Sequence, residues 1–293
     1  MKFILIADPH FRPDTPVARI DDYKTAQENK MKWLGELAEK EDAIILCSGD
    51  TVHRARERAQ PLSFVSWLQE YLPPMKTILG NHCLLYHSIE NLDNTTMGLL
   101  FKMGKVEWLK DKEVIGNVGI YPFNWGDEVT IPDGEELVKI AIYHGMVTPE
   151  KDPFLEGHVG SKLLKAFPEY DLILTGDNHK TFVVEDNGRY LVNPGSLKRD
   201  NVAQADHKPV VFLYDTETKG LTEIPVPCEP DVIDRTHIVV QQTRDARLDA
   251  LADEFKAQEE VSLDFEDNLR KTFKANKTAQ PIQDVVGSWL QGE

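Results

Sequence analysis

Hydrophobic residues form short runs that alternate with helical stripes through the first two-thirds of the chain. Short apolar runs bounded by Gly, Asp and Pro predict strands that are buried on both faces. These runs are residues 3–7, 43–47, 76–79, 118–122, 138–143, 172–175, 190–192 and 210–214. Helices are predicted over 23–40 and 61–71, where the apolar residues recur at helical spacing. The alternation indicates an α/β protein with a central sandwich.

The pattern changes after a proline-rich segment at 225–230, which predicts a main domain over 1–228 and a small accessory region over 229–293. In the accessory region we expect a strand at 236–240, a helix from Asp245, and a terminal helical stripe from Ile282 to Leu290. The region carries 8 Lys or Arg against 14 Asp or Glu, which argues against a DNA-binding arm. The stripe fits a protein partner, or packing on its own domain.

Composition narrows the class of protein. With 293 residues, of which 41% are hydrophobic, the chain can bury a core and is not disordered. No apolar run approaches the roughly 20 residues that cross a bilayer, and the N-terminal run is too short for a signal peptide. The three cysteines are odd in number and widely spaced, which predicts a reducing compartment, the cytoplasm.

The net charge of −16 excludes a protein that coats nucleic acid by bulk positive charge. An enzyme that reaches phosphates through metal ions and a few local arginines remains compatible with this charge.

Polar side chains follow nearly every predicted buried strand. In order along the chain they are Asp8, His10, Asp50, His53, Asn81, His82, His144, Asp177 and His179. Because ligands gather at the carboxyl ends of parallel strands, we expect these residues to converge. There are too many for one metal ion, and they suit two, with Asp50 as the bridging carboxylate. The competing explanation for any single member is a capped turn or a hydrogen-bonded histidine.

Five ordered motifs resemble the calcineurin-like metallophosphoesterases. They read Asp8-Pro9-His10, Gly49-Asp50-Thr51-Val52-His53, Gly80-Asn81-His82-Cys83, His144-Gly145 and Gly176-Asp177-Asn178-His179. The resemblance covers about the first 200 residues and implies a four-layer α-β-β-α sandwich with a catalytic domain at 1–228. It implies two sets of metal ligands: Asp8, His10, Asp50 and His179 for one ion, and Asp50, Asn81, His144 and Asp177 for the other.

Two positions depart from the family pattern. The family usually has histidine where this chain has Asp177, and the carboxylate favours Mn²⁺ or Mg²⁺ over Zn²⁺, with Mn²⁺ as our prediction. The alternative is that the second metal site is weak or absent. Cys83 stands where an acid often follows the third motif, which removes a partner of the ligands but no ligand.

A histidine at position 53 is similar to the pattern of the SbcD-like DNA double-strand-break repair nucleases. Phosphoprotein phosphatases of the same family carry an acidic residue at this position. The likeness implies that His53 and His82 form a catalytic pair over the scissile phosphate. One would stabilise charge on the phosphoryl group, and the other would help to protonate the leaving oxygen.

A group of basic residues follows the site motifs and is predicted to contact a nucleic-acid backbone. Its members are Arg54, Arg56, Arg58, Lys180, Lys198 and Arg199. The competing explanation is a solvated face paired with neighbouring acids.

The function that this resemblance implies is an endo- or exonuclease of DNA repair and recombination that hydrolyses phosphodiesters by in-line attack of metal-activated water. The expected partners are DNA and an SbcC-like SMC-type ATPase; a homodimer is left open, and no membrane is expected. One alternative is a phosphodiesterase or phosphatase for small nucleotides or phosphoproteins. Another is a non-catalytic scaffold with the same fold.

Overall fold

A computed structural model describes residues 1–56, 61–236, 247 and 265–291. The chain divides into two compact units, Met1–Asp234 and Arg235–Glu293. The first unit carries all of the predicted site residues, and it is built around two six-stranded sheets.

The first sheet has the strand order β14-β13-β1-β2-β3-β4, in which β1 to β4 run parallel and the last two strands close one edge antiparallel. Its strands are β1 (Lys2–Ile6), β2 (Ala43–Cys47), β3 (Met75–Thr77), β4 (Val106–Trp108), β13 (Val210–Asp215) and β14 (Gly220–Pro225).

The second sheet has the order β11-β12-β10-β7-β6-β5, and its four central strands are parallel. Its strands are β5 (Glu113–Ile115), β6 (Val118–Phe123), β7 (Val138–His144), β10 (Leu172–Gly176), β11 (Phe182–Asp186) and β12 (Arg189–Asn193). A separate two-stranded ribbon pairs β8 (Val147–Thr148) with β9 (His158–Val159).

Among the described residues, four α-helices lie in the first unit and two in the second. They are α1 (Tyr23–Glu41), α2 (Pro61–Tyr71), α3 (Thr96–Lys102), α4 (Gly160–Ala166), α5 (Phe265–Ala275) and α6 (Gln280–Gln291). Helix α1 is capped at its N-terminus by Asp22, whose carboxylate accepts from the backbone N–H of Thr25. It ends at Asp42 in a left-handed conformation.

Alternation along the strands divides the interior into three cores. In β1, Ile4 and Ile6 pack with the helices α1 and α2, whereas Phe3 and Leu5 pack between the two sheets. In β7, Ile142 faces the space between the sheets, and Ala141 and Tyr143 belong to the core that includes α4. The layers are therefore helix, sheet, sheet and helix, which confirms the predicted four-layer α/β sandwich.

The ten elements predicted in the first unit are all present, and the helix at 61–71 has the predicted bounds. The sequence did not reveal β4, β5, β11 and β14, each of which is half-exposed or lies at a sheet edge. Edge strands bury only one face or less, so they lack the continuous apolar run that marked the central strands.

In the second unit, the predicted terminal stripe coincides with α6. The predicted strand at 236–240 and the predicted helix from Asp245 fall almost wholly outside the described residues. Within the described part of the chain, none of the helices is both long and apolar enough to cross a bilayer.

Candidate metal centre

The predicted site residues lie at the carboxyl ends of five parallel strands. Asp8 and Asp50 follow β1 and β2, Asn81 begins a 3-10 turn after β3, His144 closes β7, and Asp177 follows β10. Both sheets therefore contribute to one edge of the sandwich, and the predicted convergence is observed for the groups described below.

The backbone at this edge is held in an uncommon conformation. Asp8, His10, Asp50 and Asp177 have φ values of 46°, 46°, 48° and 80°, in the left-handed region that non-glycine residues rarely occupy. Such conformations persist only where the surroundings enforce them, and they cluster at functional sites. Here they turn each strand sharply at its end, so that the side chains face the cleft.

Gly80 lets the third strand approach the second. A Cβ atom at this position would lie 2.1 Å from Oδ1 of Asp50 and 2.7 Å from its backbone nitrogen. Any side chain at Gly80 would therefore displace the Asp50 carboxylate, so the glycine of this motif is required by close approach.

The first group of ligand atoms combines Asp8, His10 and His179, whose donor atoms all lie within 4.8 Å of one another. Nε2 of His10 is 3.1 Å from Nε2 of His179. Two nitrogens that are each about 2.1 Å from one ion lie roughly 3.0–3.4 Å apart in octahedral or tetrahedral geometry, so this spacing fits a shared ion. Asp8 is fully buried, and its carboxylate also accepts from the backbone N–H of Asp177.

Asp50 lies between the two predicted ligand sets. Its Oδ2 atom is 3.7 Å from Nε2 of His10 and 3.5 Å from Nε2 of His144. Its other oxygen, Oδ1, accepts from the backbone N–H of His82 at 2.9 Å, which fixes the carboxylate plane. One oxygen that faces imidazoles on both sides is the arrangement expected of a bridging ligand.

The second group centres on His144, which is fully buried. Its Nδ1 lies 2.6 Å from the backbone carbonyl of Ser48, and because a carbonyl can only accept, Nδ1 carries the proton. In the neutral ring, Nε2 then presents a lone pair to Oδ2 of Asp50 and to Oδ1 of Asn81, the latter at 3.3 Å. Three facing acceptors require a cation or a proton between them.

The pKa values of Asp8, Asp50 and His144 depend on one another. Burial raises the pKa of Asp8 to about 7, and the nearby Asp50 adds to that rise. Burial acts in the same direction on Asp50, but His144 and His10 outweigh it and lower its pKa to about 2. Burial opposes the charged form of His144, yet Asp50 raises its pKa to about 9. A positive charge at His144 therefore stabilises the Asp50 carboxylate, and either a proton on His144 or a bound cation can supply that charge.

His53 and His82 form a pair beside these ligands. Their ring centroids are 5.6 Å apart, and the donor atoms of His10, His53 and His82 lie within 4.8 Å of one another. Nδ1 of His82 donates to the backbone carbonyl of His53 at 2.6 Å, which leaves Nε2 of His82 free to accept. Burial, followed by the positive charge of Arg12, lowers the pKa of His53 to about 4, so the ring is neutral at pH 7.

The predicted basic contacts divide into two groups. Arg54, Arg56 and Lys180 are exposed near the ends of the site strands, where a phosphate backbone could reach them. Arg58 lies outside the described residues. Lys198 and Arg199 are instead buried, with 1% and 8% of their surface exposed.

Burial argues against the predicted contact of Lys198 and Arg199 with nucleic acid, because their donors are used inside the protein. Nζ of Lys198 donates to the backbone carbonyl of His10 at 2.8 Å and to Asp200 at 3.2 Å. Arg199 donates to the backbone carbonyl of Ala205 at 3.3 Å. Lys198 therefore supports the loop that carries a predicted ligand, a role that its position after a motif did not reveal.

The sequence also missed two neighbours of the ligands. Ser48 precedes the second motif and supplies the carbonyl that orients His144. Gln204 approaches Nδ1 of His179 at 3.4 Å through its amide nitrogen. A backbone acceptor leaves no trace in residue identity, and a lone glutamine in a loop carries no distinctive pattern.

Comparison with known families agrees with this geometry. A family model described as the calcineurin-like phosphoesterase superfamily domain matches residues 1–219. The chain belongs to this superfamily. No curated protein sequence matches the chain significantly.

Solved structures align with the chain at low sequence identity. A protein from Staphylococcus aureus assigned as a 5′-nucleotidase aligns with a TM-score of 0.51 and 15% identity, over 83% of this chain and 58% of the other. The chain thus spans 58% of the length of that structure. An archaeal phosphodiesterase aligns with a TM-score of 0.41 and 16% identity, over 77% and 99% of the two chains. Vps29 from Entamoeba histolytica, in complex with zinc, aligns with a TM-score of 0.35 and 15% identity, over 78% of this chain and 100% of the other.

The side chains at this edge fit the divalent metals that the superfamily uses. The carboxylate and imidazole donors of Asp8, His10, Asp50, His144 and His179 fall in two overlapping groups of mutually close ligand atoms. The first four of these residues are buried, whereas His179, Asn81 and Asp177 are half-buried. Nδ1 of His10 is buried and has no hydrogen-bond partner among the residues that the structure describes, which is compatible with a ring whose orientation is set by coordination at Nε2.

Among the predicted ligands, Asp177 has the fewest contacts that support its assignment. Its backbone N–H donates to Asp8, whereas its side chain is absent from the three groups of mutually close ligand atoms found among the described residues. The carboxylate is half-buried and close enough to raise the pKa of Asp8. Its assignment to the second ion stays a prediction.

Proposed function

We propose that the protein is a two-metal phosphodiesterase that cleaves DNA, as an SbcD-like nuclease subunit of DNA repair and recombination. The observation that carries the proposal is the pairing of His53 with His82 beside the Asp50 centre. The leaving oxygen of a DNA phosphodiester is a sugar alkoxide, which is a poor leaving group until it is protonated. An imidazole at the position of His53 avoids the negative charge that an ionised carboxylate would place beside the phosphate and beside His82.

The residues of the chain would act as follows. One ion would be held by Asp8, His10, Asp50 and His179, and the other by Asp50, Asn81, His144 and Asp177. Bound divalent cations would supply Lewis-acid activation of water and of the phosphoryl oxygens. His82, with its proton on Nδ1 fixed by the carbonyl of His53, would hold a second proton on Nε2 when the phosphate arrives.

Hydrolysis forms one P–O bond to water and breaks one P–O bond to the sugar, so one proton must reach the leaving oxygen. The negative charge of a bound phosphodiester would stabilise a positive charge on a neighbouring proton donor. His53 would stabilise charge on the phosphoryl group, and His82 would deliver the proton.

We further propose Mn²⁺ as the native metal, with Mg²⁺ as the alternative, because the Asp177 carboxylate makes the second site harder than a histidine would. Arg54, Arg56 and Lys180 would contact the DNA backbone. An SbcC-like SMC-type ATPase would dock on the apolar stripe of α6, and the complex would act in the cytoplasm.

The experiment is a substrate panel. Purified protein is incubated with Mn²⁺, Mg²⁺ or Zn²⁺ and with double-stranded DNA, single-stranded DNA, a bis-aryl phosphodiester and an aryl monoester. We expect cleavage of DNA and of the diester, highest with Mn²⁺, and none by the Asp50→Asn variant. Hydrolysis of the monoester alone would instead assign a phosphatase, and inactivity on every substrate without metal retention would assign a scaffold.

A variant that lacks one predicted DNA contact distinguishes DNA binding from the hydrolytic step. Arg56→Ala is expected to weaken DNA binding by roughly 1 kcal/mol and to reduce the salt dependence of binding by about one phosphate contact, while hydrolysis of the bis-aryl diester is unchanged. Arg270→Ala, a change of the same charge on α5, is the control. Equal loss on DNA and on the small diester would contradict the assignment of Arg56 to DNA.

A further inference from the structure

A second cavity lies in the first unit, between the first turns of α1 and the segment at 227–232. Its volume is about 330 Å³. None of the predicted metal ligands lines it, and neither does His53 or His82. It is therefore separate from the centre described above.

Three buried cationic side chains line this cavity. Arg19, Lys30 and Arg199 are only 9%, 7% and 8% exposed, in a chain whose net charge is −16. Lysine and arginine are almost never buried to this extent unless they are paired. The acidic residues at the cavity are Asp21 and Glu229.

The available acids do not pair with all three cations. Asp21 accepts from Nε of Arg19 at 2.8 Å. Glu229 is exposed, and it is its backbone carbonyl that accepts from Arg199. Within the described residues, the hydrogen-bond acceptor of Lys30 is the backbone carbonyl of Pro227 at 3.1 Å.

Burial of the Lys30 ammonium group therefore costs solvation free energy that its neighbours do not fully offset. Burial lowers the pKa of Lys30 to about 8; Cys228 opposes this shift, and the positive charges of Arg19 and Arg199 contribute to it. An ammonium group that is desolvated, surrounded by like charges and bonded to a neutral carbonyl is stabilised most directly by an anion.

We propose that this cavity binds a phosphate-bearing anion of mononucleotide size or smaller, at a site distinct from the metal centre. The volume is at the lower end of the range for small-molecule sites. The ammonium group of Lys30 has three donors and one acceptor among the described residues, so it would supply hydrogen bonds to phosphate oxygens. Arg19 and Arg199 donate to Asp21 and to backbone carbonyls, and they would add positive charge beside the ligand. The ligand would neutralise the excess positive charge of the cavity.

The test uses metal-free protein in EDTA, so that the metal centre cannot contribute phosphate binding. Inorganic phosphate, 5′-AMP and adenosine are titrated by calorimetry, and the melting temperature is followed in parallel. We expect phosphate or 5′-AMP to bind saturably and, at tenfold Kd, to raise the melting temperature by roughly 3–6 °C. Adenosine, which lacks the anion, should have no effect.

Variants on one helix supply the controls. Lys30→Gln is expected to weaken binding by at least tenfold, and Lys30→Arg, which keeps the charge, should retain it. Lys32→Gln makes the same change of charge at an exposed position two residues away and should leave binding unchanged.

Three results would overturn the proposal: absence of saturable binding by both anions, equal losses in Lys30→Gln and Lys32→Gln, or equal binding of adenosine and 5′-AMP. Binding of inorganic phosphate alone or of 5′-AMP alone would each support it and would identify the source of the phosphate group. None of these outcomes depends on whether the metal centre cleaves DNA.

Discussion

Replacement of Gly80 by alanine tests the geometry of the centre without changing any ligand. The added Cβ would lie 2.1 Å from Oδ1 of Asp50 and 2.7 Å from its backbone nitrogen. Ordinary contact begins at 3.4 Å, so the carboxylate must move by about 1.3 Å or the two strands must separate. Because Oδ1 also accepts from His82, either movement breaks the hydrogen bond that orients Asp50.

The expected loss of activity follows from that displacement. A misplacement of about 1 Å at a reacting group costs roughly 100-fold in rate, or about 2.7 kcal/mol. We therefore expect Gly80→Ala to lower kcat for a bis-aryl phosphodiester by about 100-fold or more, and to lower Mn²⁺ occupancy.

The assay pairs initial rates with metal content and with the melting temperature. Gly35→Ala is the matched control, since its Cβ would meet Pro73 at an ordinary 3.5 Å and α1 would gain about 0.5–1 kcal/mol of helix stability. A Gly80→Ala protein that retained full activity and two ions would refute the close approach of these strands as a requirement of the centre.

Three further predictions concern neighbours of the metal ligands. His53→Ala should abolish DNA cleavage with metal content intact; loss of the ions would show that His53 is a ligand. Lys198→Met should weaken Mn²⁺ binding by roughly tenfold, because the carbonyl of His10 loses its donor, whereas exposed Lys180→Met should not, and equal calorimetric affinities would contradict this. Since the folded-state pKa of His53 is lowered to about 4, the unfolded state binds more protons between pH 4 and 6.5. Metal-free protein should therefore lose stability as pH falls through that window, and denaturant titrations should show a smaller loss for His53→Gln.

The central strands and the convergence of the site could be predicted from sequence because both depend on local pattern. A strand such as β7 is buried on both faces and reads as an unbroken apolar run that ends at His144. Polar residues at such ends must share one edge when the strands are parallel, so the cluster follows from topology.

Burial of basic side chains could not be predicted in the same way. Lys198 and Arg199 follow a site motif as Arg54 and Arg56 do, yet the first pair is buried and the second exposed. The difference depends on distant residues, since Lys198 is held by His10 and by groups on α1. Contacts between residues so far apart along the chain leave no periodic pattern of hydrophobic and polar positions.

The most direct test of the two-metal centre is anomalous diffraction from crystals grown with Mn²⁺. We predict two anomalous peaks, one on either side of Oδ2 of Asp50, the first beside His10 and His179 and the second beside Asn81 and His144. Crystals that diffract well, carry Mn²⁺ in the solvent and show no peak at Asp50 would contradict it.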